Sequence, residues 1–72
     1  MSEIVKSKID EIAPPQNLEN SMMIEVESWV SSIFTQIGYN PNNLKKSLDM
    51  AWHNAKPSDT ISDFVYQVWR FD

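Results

Sequence analysis

The sequence contains a single glycine, Gly38, among its 72 residues. Sheets and barrels use glycine at the left-handed positions of tight turns, so a chain this poor in glycine favours helices joined by Pro- and Asn-based turns. No cysteine is present to form a disulfide or a thiolate metal site, and 72 residues allow only one modest core. The three Trp, two Tyr and three Phe are a generous supply of apolar volume for that core. The sequence therefore predicts a small all-α protein that is stabilised by packing.

Apolar residues recur at three- and four-residue steps in three segments, which places them on one face of a helix in each segment. The segments cover residues 22–37, 44–55 and 61–71. Met22 and Met23 stand at the start of the first apolar stripe, and Gly38 follows its end, where a left-handed residue commonly terminates a helix. The pattern predicts a compact three-helix domain over residues 21–72.

Capping residues precede each of the three predicted helices. Ser21 is the expected N-cap of the first helix, and Asn40 with Pro41 is expected to begin the second. Ser58, Asp59 and Thr60 offer a choice of N-caps for the third helix, and Thr60 with Asp63 has the spacing of a capping box.

The first 20 residues form a separate N-terminal arm in this predicted organisation. A short helix is indicated by the spacing of Ile4, Val5, Ile9 and Ile12, and it must end at Pro14 and Pro15. Residues 16–20 are expected to be a polar linker. Because an isolated helix of this length is marginal in water, the arm is docked on the rest of the chain, bound to a partner, or frayed.

The charge balance argues against nucleic acid as the partner. Ten Asp and Glu outweigh six Lys and Arg, giving a formal net charge of −4, and Lys45-Lys46 is the only basic pair. No apolar run approaches the roughly 18–20 residues that span a bilayer, and residues 1–10 lack the hydrophobic region of a signal peptide. We expect a cytoplasmic protein without a membrane partner. Met1 before Ser2 suggests a natural start, and the short tail after Trp69 a natural end.

Catalytic and metal-binding chemistry is not indicated. His53 is the only histidine and has no cysteine to pair with, and no nucleophile elbow surrounds any serine. Asp59 and Asp63 are spaced by one helical turn, but both are explained as helix-capping residues. We therefore expect no enzyme activity, no catalytic residues, no metal site and no cofactor.

One run of residues resembles a known family. The turn Ile37-Gly38-Tyr39-Asn40-Pro41 is followed by a helix with an apolar residue nine positions after the tyrosine, and Ser58-Asp59-Thr60-Ile61 then precedes a third helix. This arrangement is similar to the ubiquitin-associated (UBA) pattern, and within it to the C-terminal domain of the bacterial RuvA Holliday-junction protein. The similarity covers about residues 25–71.

The resemblance implies a UBA-like three-helix fold that binds a protein partner, an ATPase in RuvA and ubiquitin in many UBA domains. RuvA holds DNA through a barrel and helix-hairpin-helix motifs that this chain lacks, so junction binding is not implied. The last predicted helix is also richer in aromatic residues than the family's third helix.

The leading hypothesis is a non-enzymatic protein-binding module, or small regulator, that docks on a partner through an apolar and aromatic surface. The candidate contact residues lie in the Gly-Tyr turn and on the last helix: Ile37, Gly38, Tyr39, Tyr66, Trp69 and Arg70. Met22 and Met23 are either an adaptable contact surface or simply a helix start over the core. Two alternatives remain. One is a nucleic-acid-binding regulator that uses Lys45 and Lys46, and the other is a homodimer assembled through the N-terminal arm.

Overall fold

The computed structural model describes residues 2–72, with side chains from residue 3 onwards. It contains the helices α1 (Ser2–Ile12), α2 (Met23–Gln36), α3 (Leu44–Asn54) and α4 (Ile61–Phe71), and a 3₁₀ turn at Leu18–Asn20. The expected small all-α bundle with an N-terminal helix is confirmed. Over residues 2–72, no helix is long and apolar enough to cross a membrane.

The last helix, α4, is the central element of the core. It buries Ile61, Phe64, Val65 and Val68 along one face, and α1, α2 and α3 all pack against it. From α2 the core receives Val26, Val30, Ile33 and Phe34, and from α3 it receives Ala51. The Trp52 ring of α3 lies against Phe64, with ring centroids 4.4 Å apart.

The N-terminal helix α1 is docked on the rest of the chain. Ile9 is fully buried in the same cluster as α4, while Val5 and Ile12 pack against that cluster from its edge. Ile4 remains 63% exposed. Val5, Ile9 and Ile12 therefore already pack within their own chain. In the homodimer alternative, these residues and Ile4 would have to pack against a second copy. The boundary at residue 20, between the N-terminal arm and the three-helix domain, stays a prediction.

A polar network joins α1 to α4 at the surface. The Nζ of Lys6 lies 2.9 Å from the carboxylate of Asp10, 3.3 Å from that of Asp63 and 3.2 Å from the Ser62 hydroxyl. The Ser62 hydroxyl also donates to Asp10. Burial alone would lower the pKa of Lys6, but the two carboxylates outweigh it and hold this pKa above its usual value.

The segment after the two prolines is not the polar linker that the sequence predicts. Leu18 is only 9% exposed and belongs to the core cluster. Its backbone N–H donates to the carbonyl of Asp59 at 2.9 Å, and the N–H of Ile61 donates to the carbonyl of Gln16 at 3.0 Å. These bonds tie the segment to the loop before α4. A single leucine among polar neighbours has no periodicity that would have indicated its burial.

Ser21 does not cap α2. Its hydroxyl donates to the carbonyl of Asn17 at 3.0 Å, and Met22 holds the N-cap position instead. The Glu25 carboxylate accepts a hydrogen bond from the Met22 N–H at 3.2 Å, which satisfies one of the free donors at the helix start.

The end of α2 follows the expected left-handed geometry at Gly38, whose φ is +73°. The Gly38 N–H donates to the carbonyl of Thr35 at 3.2 Å, and the Tyr39 N–H donates to that of Phe34 at 2.9 Å. This is a Schellman motif, in which an apolar contact usually accompanies the two hydrogen bonds. Here the contact is the edge-to-face pair of Phe34 and Tyr39, with centroids 5.3 Å apart.

The start of α3 differs from its prediction. The helix begins at Leu44 with Asn43 as N-cap, rather than after Asn40 and Pro41. The Asp72 carboxylate accepts hydrogen bonds from the backbone N–H groups of Asn42 at 3.2 Å and Asn43 at 2.8 Å. A side chain from the far end of the sequence thus satisfies the donors that a local cap was expected to satisfy.

A capping box has two hydrogen bonds, and one of them is present at the start of α4. The Thr60 hydroxyl accepts from the Asp63 N–H at 3.1 Å. The Asp63 carboxylate faces Lys6 of α1, as described above, so it contributes to the contact between helices.

Candidate functional site

Three of the six predicted contact residues, Tyr39, Tyr66 and Trp69, lie in one row of rings. Trp69 stacks on Tyr66 with centroids 5.7 Å apart and an interplanar angle of 22°. On its other side, Trp69 meets Tyr39 at 6.3 Å in an edge-to-face arrangement. All three side chains are half-buried and pack against the core cluster. The structure therefore brings the Gly-Tyr turn and α4 together as expected.

Much of this aromatic row is already engaged within the chain. The Lys6 ammonium group lies 5.7 Å from the centroid of the Tyr66 ring. The Tyr39 hydroxyl donates to Asp72 at 2.5 Å. This bond, followed by burial, raises the pKa of Tyr39, and the same bond with the Asn43 N–H lowers the pKa of Asp72. Tyr39 therefore has a structural role whatever else it contacts.

The other three predicted contact residues are placed differently. Ile37 is half-buried and packs against the core cluster, whereas Gly38 and Arg70 are exposed. Since Arg70 lies on the same helix as Tyr66 and Trp69 and one turn from Tyr66, it stands beside the aromatic row. All six remain predicted contacts.

The largest exposure of apolar side chains is at the start of α2. Met22 is 66% exposed, Met23 60% and Ile24 71%; we term these three residues the methionine patch. Of the two interpretations of Met22 and Met23, the position over the core is not observed: their side chains lie beyond the end of the buried face, which begins at Val26. Ile4 and Met50 are the other exposed large apolar residues described, and each is separate in sequence.

Acidic side chains surround the methionine patch in sequence. Glu19, Glu25 and Glu27 are all exposed, and none of them forms a salt bridge within residues 2–72. No Lys or Arg occurs between Lys8 and Lys45. The patch therefore combines apolar side chains with exposed carboxylates that have no salt-bridge partner within residues 2–72.

A shallow cleft of about 270 Å³ lies between the 3₁₀ turn and the end of α3. Its lining residues are Leu18, Glu19, Trp52, Ala55, Lys56 and Pro57. Glu19 is three residues before Met22, so the two Cα atoms are at most about 11 Å apart. The indole N–H of Trp52 is buried and has no hydrogen-bond partner among the described residues. The cleft wall is thus mainly apolar, with one charge of each sign.

Lys45 and Lys46, the alternative nucleic-acid contacts, are exposed on the first turn of α3. A phosphate at this helix start would bind the free backbone N–H groups. The Asp72 carboxylate already accepts hydrogen bonds from Asn42 and Asn43 there. Its negative charge occupies the position that a phosphate would take.

Groups suited to catalysis or metal binding are sparse in the part of the chain described. His53 is exposed, and its Nδ1 lies 2.8 Å from the carbonyl of Asp49 on the same helix. Over residues 2–72, no group of three or more His, Cys, Asp or Glu side chains could hold a metal ion.

The chain matches no protein-family model, and no curated protein or solved structure is significantly similar to it. The resemblance to UBA domains stays a prediction.

One part of the methionine patch was detectable in the sequence. Successive helical residues are about 100° apart around the axis, so three consecutive apolar residues cannot all face the same core. Ile24 is the residue that the stripe through Val26 and Val30 leaves out. Its exposure, together with that of both methionines, distinguishes the patch from an ordinary helix start.

Proposed function

We propose that this chain is a non-enzymatic protein-binding module and that the methionine patch is its primary contact surface. The observation that carries this proposal is the 60–71% exposure of three consecutive large apolar side chains. Scattered exposed apolar residues are ordinary, whereas a consecutive run is costly unless a partner covers it. Fully burying one such side chain contributes about 1.5–3 kcal/mol.

The patch suits recognition better than the aromatic row does. Tyr66 and Trp69 are already half-buried and stacked on each other, so a partner would gain less by covering them. Methionine side chains are unbranched and flexible, and they can adapt to the shape of a partner. The aromatic row and Arg70 therefore form a second surface, and the methionine patch forms the first.

A UBA-like fold is the finer assignment that we propose for the bundle. The Schellman turn at Gly38 and Tyr39, and the threonine cap of α4, support it. By the same resemblance, the partner class includes ATPases and ubiquitin-like proteins. We also propose a cytoplasmic location, because a chain without cysteine needs no oxidising compartment.

A capture experiment with matched variants tests the proposed function. The full chain is immobilised, and proteins retained from a lysate are identified by mass spectrometry. The triple variant Met22→Gln/Met23→Gln/Ile24→Gln should retain its specific partner at least tenfold less. The control variants Ile4→Gln and Met50→Gln alter exposed apolar residues elsewhere and should retain it fully.

Circular dichroism should show the same helical content for all of these variants, because none of the altered side chains is buried. Equal retention by the wild type and the triple variant would contradict the role of the patch.

A further inference from the structure

We infer that the methionine patch binds a cationic amphipathic helix of a partner protein. This inference rests on the proposed function and names the chemistry of the partner. Its basis is the combination of the three apolar side chains with Glu19, Glu25 and Glu27, which have no salt-bridge partner in residues 2–72.

The exposed glutamates near the patch complement the charge of a cationic partner. Each of these three glutamates lies within five positions of the patch in sequence, and all are exposed. When a partner buries Met22 and Met23, the edge of its contact surface comes close to these carboxylates. Opposite charges at the rim accelerate association and favour the correct partner, whereas acidic groups there would be repelled.

Like-charge repulsion disfavours another copy of this chain as the occupant. In a two-fold symmetric dimer the same patch appears on both sides of the interface. Glu25 and Glu27 of one copy would then approach those of the other, and like charges brought together cost free energy. The net charge of −4 adds to this repulsion at longer range.

An amphipathic helix is the form of partner that suits this surface. A helix with apolar residues at positions i, i+3 and i+4 presents a compact apolar face flanked by Lys or Arg. Because three consecutive residues cannot all face one partner helix, such a face covers two neighbouring side chains of the patch, with exposed glutamates before and after them in sequence.

The test uses three fluorescein-labelled, 15-residue helical peptides with leucine at identical positions. Their polar positions carry lysine, glutamine or glutamate. Fluorescence anisotropy with the full chain measures each Kd. We expect the Leu/Lys peptide to bind at least tenfold more tightly than the Leu/Gln peptide, and the Leu/Glu peptide to bind most weakly. Raising the salt concentration should reduce the Leu/Lys advantage, because exposed charges are screened.

Two charge variants distinguish the effect of the glutamates near the patch from the effect of the net charge of the chain. Glu19→Gln/Glu25→Gln/Glu27→Gln should bring the Leu/Lys affinity down to the Leu/Gln level, while the amide oxygen introduced at position 25 can still accept from the Met22 N–H. A control with the same change in net charge, Glu3→Gln/Glu11→Gln/Asp49→Asn, should keep most of the Leu/Lys preference. An equal loss in the control would overturn the inference, since net charge rather than the patch would then set the preference.

The outcomes also separate this inference from the proposed function. If the Leu/Lys and Leu/Gln peptides bind equally, and both lose affinity in Met22→Gln/Met23→Gln/Ile24→Gln, the cationic partner is wrong and the apolar contact surface stands. If no peptide responds to that triple variant, the inference fails, and the capture experiment alone decides the proposed function.

Discussion

The hydroxyl of Tyr39 donates a 2.5 Å hydrogen bond to the carboxylate of Asp72, which lies 33 residues further along the chain. The same carboxylate accepts hydrogen bonds from the backbone N–H groups of Asn42 and Asn43. One side chain therefore connects the residue after α4, the turn after α2 and the start of α3. Bonds to a charged acceptor are stronger than those between neutral groups.

We expect Tyr39→Phe to destabilise the fold by about 1.5 kcal/mol, the low end of the range for a hydrogen bond to a charged group, because this bond is only part-buried. The ring contacts with Phe34 and Trp69 are retained in this variant, so the loss reports the hydroxyl alone. Urea unfolding followed by circular dichroism measures it. Tyr66→Phe serves as a matched change on the same aromatic row and should cost less. If the two variants are equally stable, the Asp72 bond contributes nothing measurable.

Stability should fall in acid because of Asp72 and Asp10. The Tyr39 hydroxyl and the Asn43 N–H lower the pKa of Asp72, and the Ser62 hydroxyl and Lys6 lower the pKa of Asp10. A carboxyl group with a lowered folded-state pKa stabilises the fold above its unfolded value, and this contribution is lost as pH falls through the folded value. Urea midpoints should therefore decline below about pH 5. Asp10→Asn/Asp72→Asn should flatten the decline, and an unchanged slope would contradict this assignment.

The docking of α1 can be tested with two isoleucines on the same helix. Ile9 is fully buried, whereas Ile4 is 63% exposed. We expect Ile9→Ala to cost about 2–5 kcal/mol, as for other buried isoleucines. Ile4→Ala should change stability by less than about 0.5 kcal/mol. Urea denaturation of both variants gives the comparison. Similar small effects would indicate that α1 is not packed on α4 in solution.

Substitutions at Gly38 measure the cost of a positive φ for other residues, because an added side chain there causes no clash. The φ of Gly38 is +73°, and a Cβ added there would meet no atom within 4 Å. Gly38→Ala should therefore cost about 1–2 kcal/mol through backbone strain alone. Gly38→Asn should cost less, because asparagine tolerates this conformation better. D-Alanine at position 38 of a synthetic chain should be neutral or stabilising, and a loss as large as that for L-alanine would refute the strain explanation.

Ser47 offers a substitution that should raise stability. Its side chain is fully buried, and its hydroxyl has no hydrogen-bond partner among the described residues. An unsatisfied buried hydroxyl costs about 1–3 kcal/mol. We expect Ser47→Ala to stabilise the fold by about 1 kcal/mol, through the removed hydroxyl and the better helix propensity of alanine. A lower urea midpoint would show that the hydroxyl is satisfied in solution.

The parts of the fold that sequence reasoning predicted are those determined locally. The four helices follow from apolar periodicity and from proline positions, which depend on nearest neighbours along the chain. Gly38 and Thr60 were placed correctly because their roles depend on residues within four or five positions.

The features that sequence reasoning missed depend on distant contacts. Asp72 replaces Asn40 in satisfying the start of α3, although about thirty residues separate it from Asn42 and Asn43. Leu18 is buried because its segment hydrogen-bonds to the loop before α4. In the candidate site, the aromatic row was anticipated from Tyr39 and Trp69. For Met22 and Met23 the sequence left two interpretations open, and their exposure depends on the start of α2 extending beyond the core that the other helices provide.

The central position of α4 also has a kinetic consequence. This helix is translated after the three helices that pack on it, so their apolar faces remain uncovered until it emerges. Ile9 must then find partners more than fifty residues later in the chain. Closing such a long loop before the contacts form slows folding relative to a bundle in which neighbouring helices pair in order. We expect the core to assemble late, in one cooperative step, after synthesis of residues 61–71.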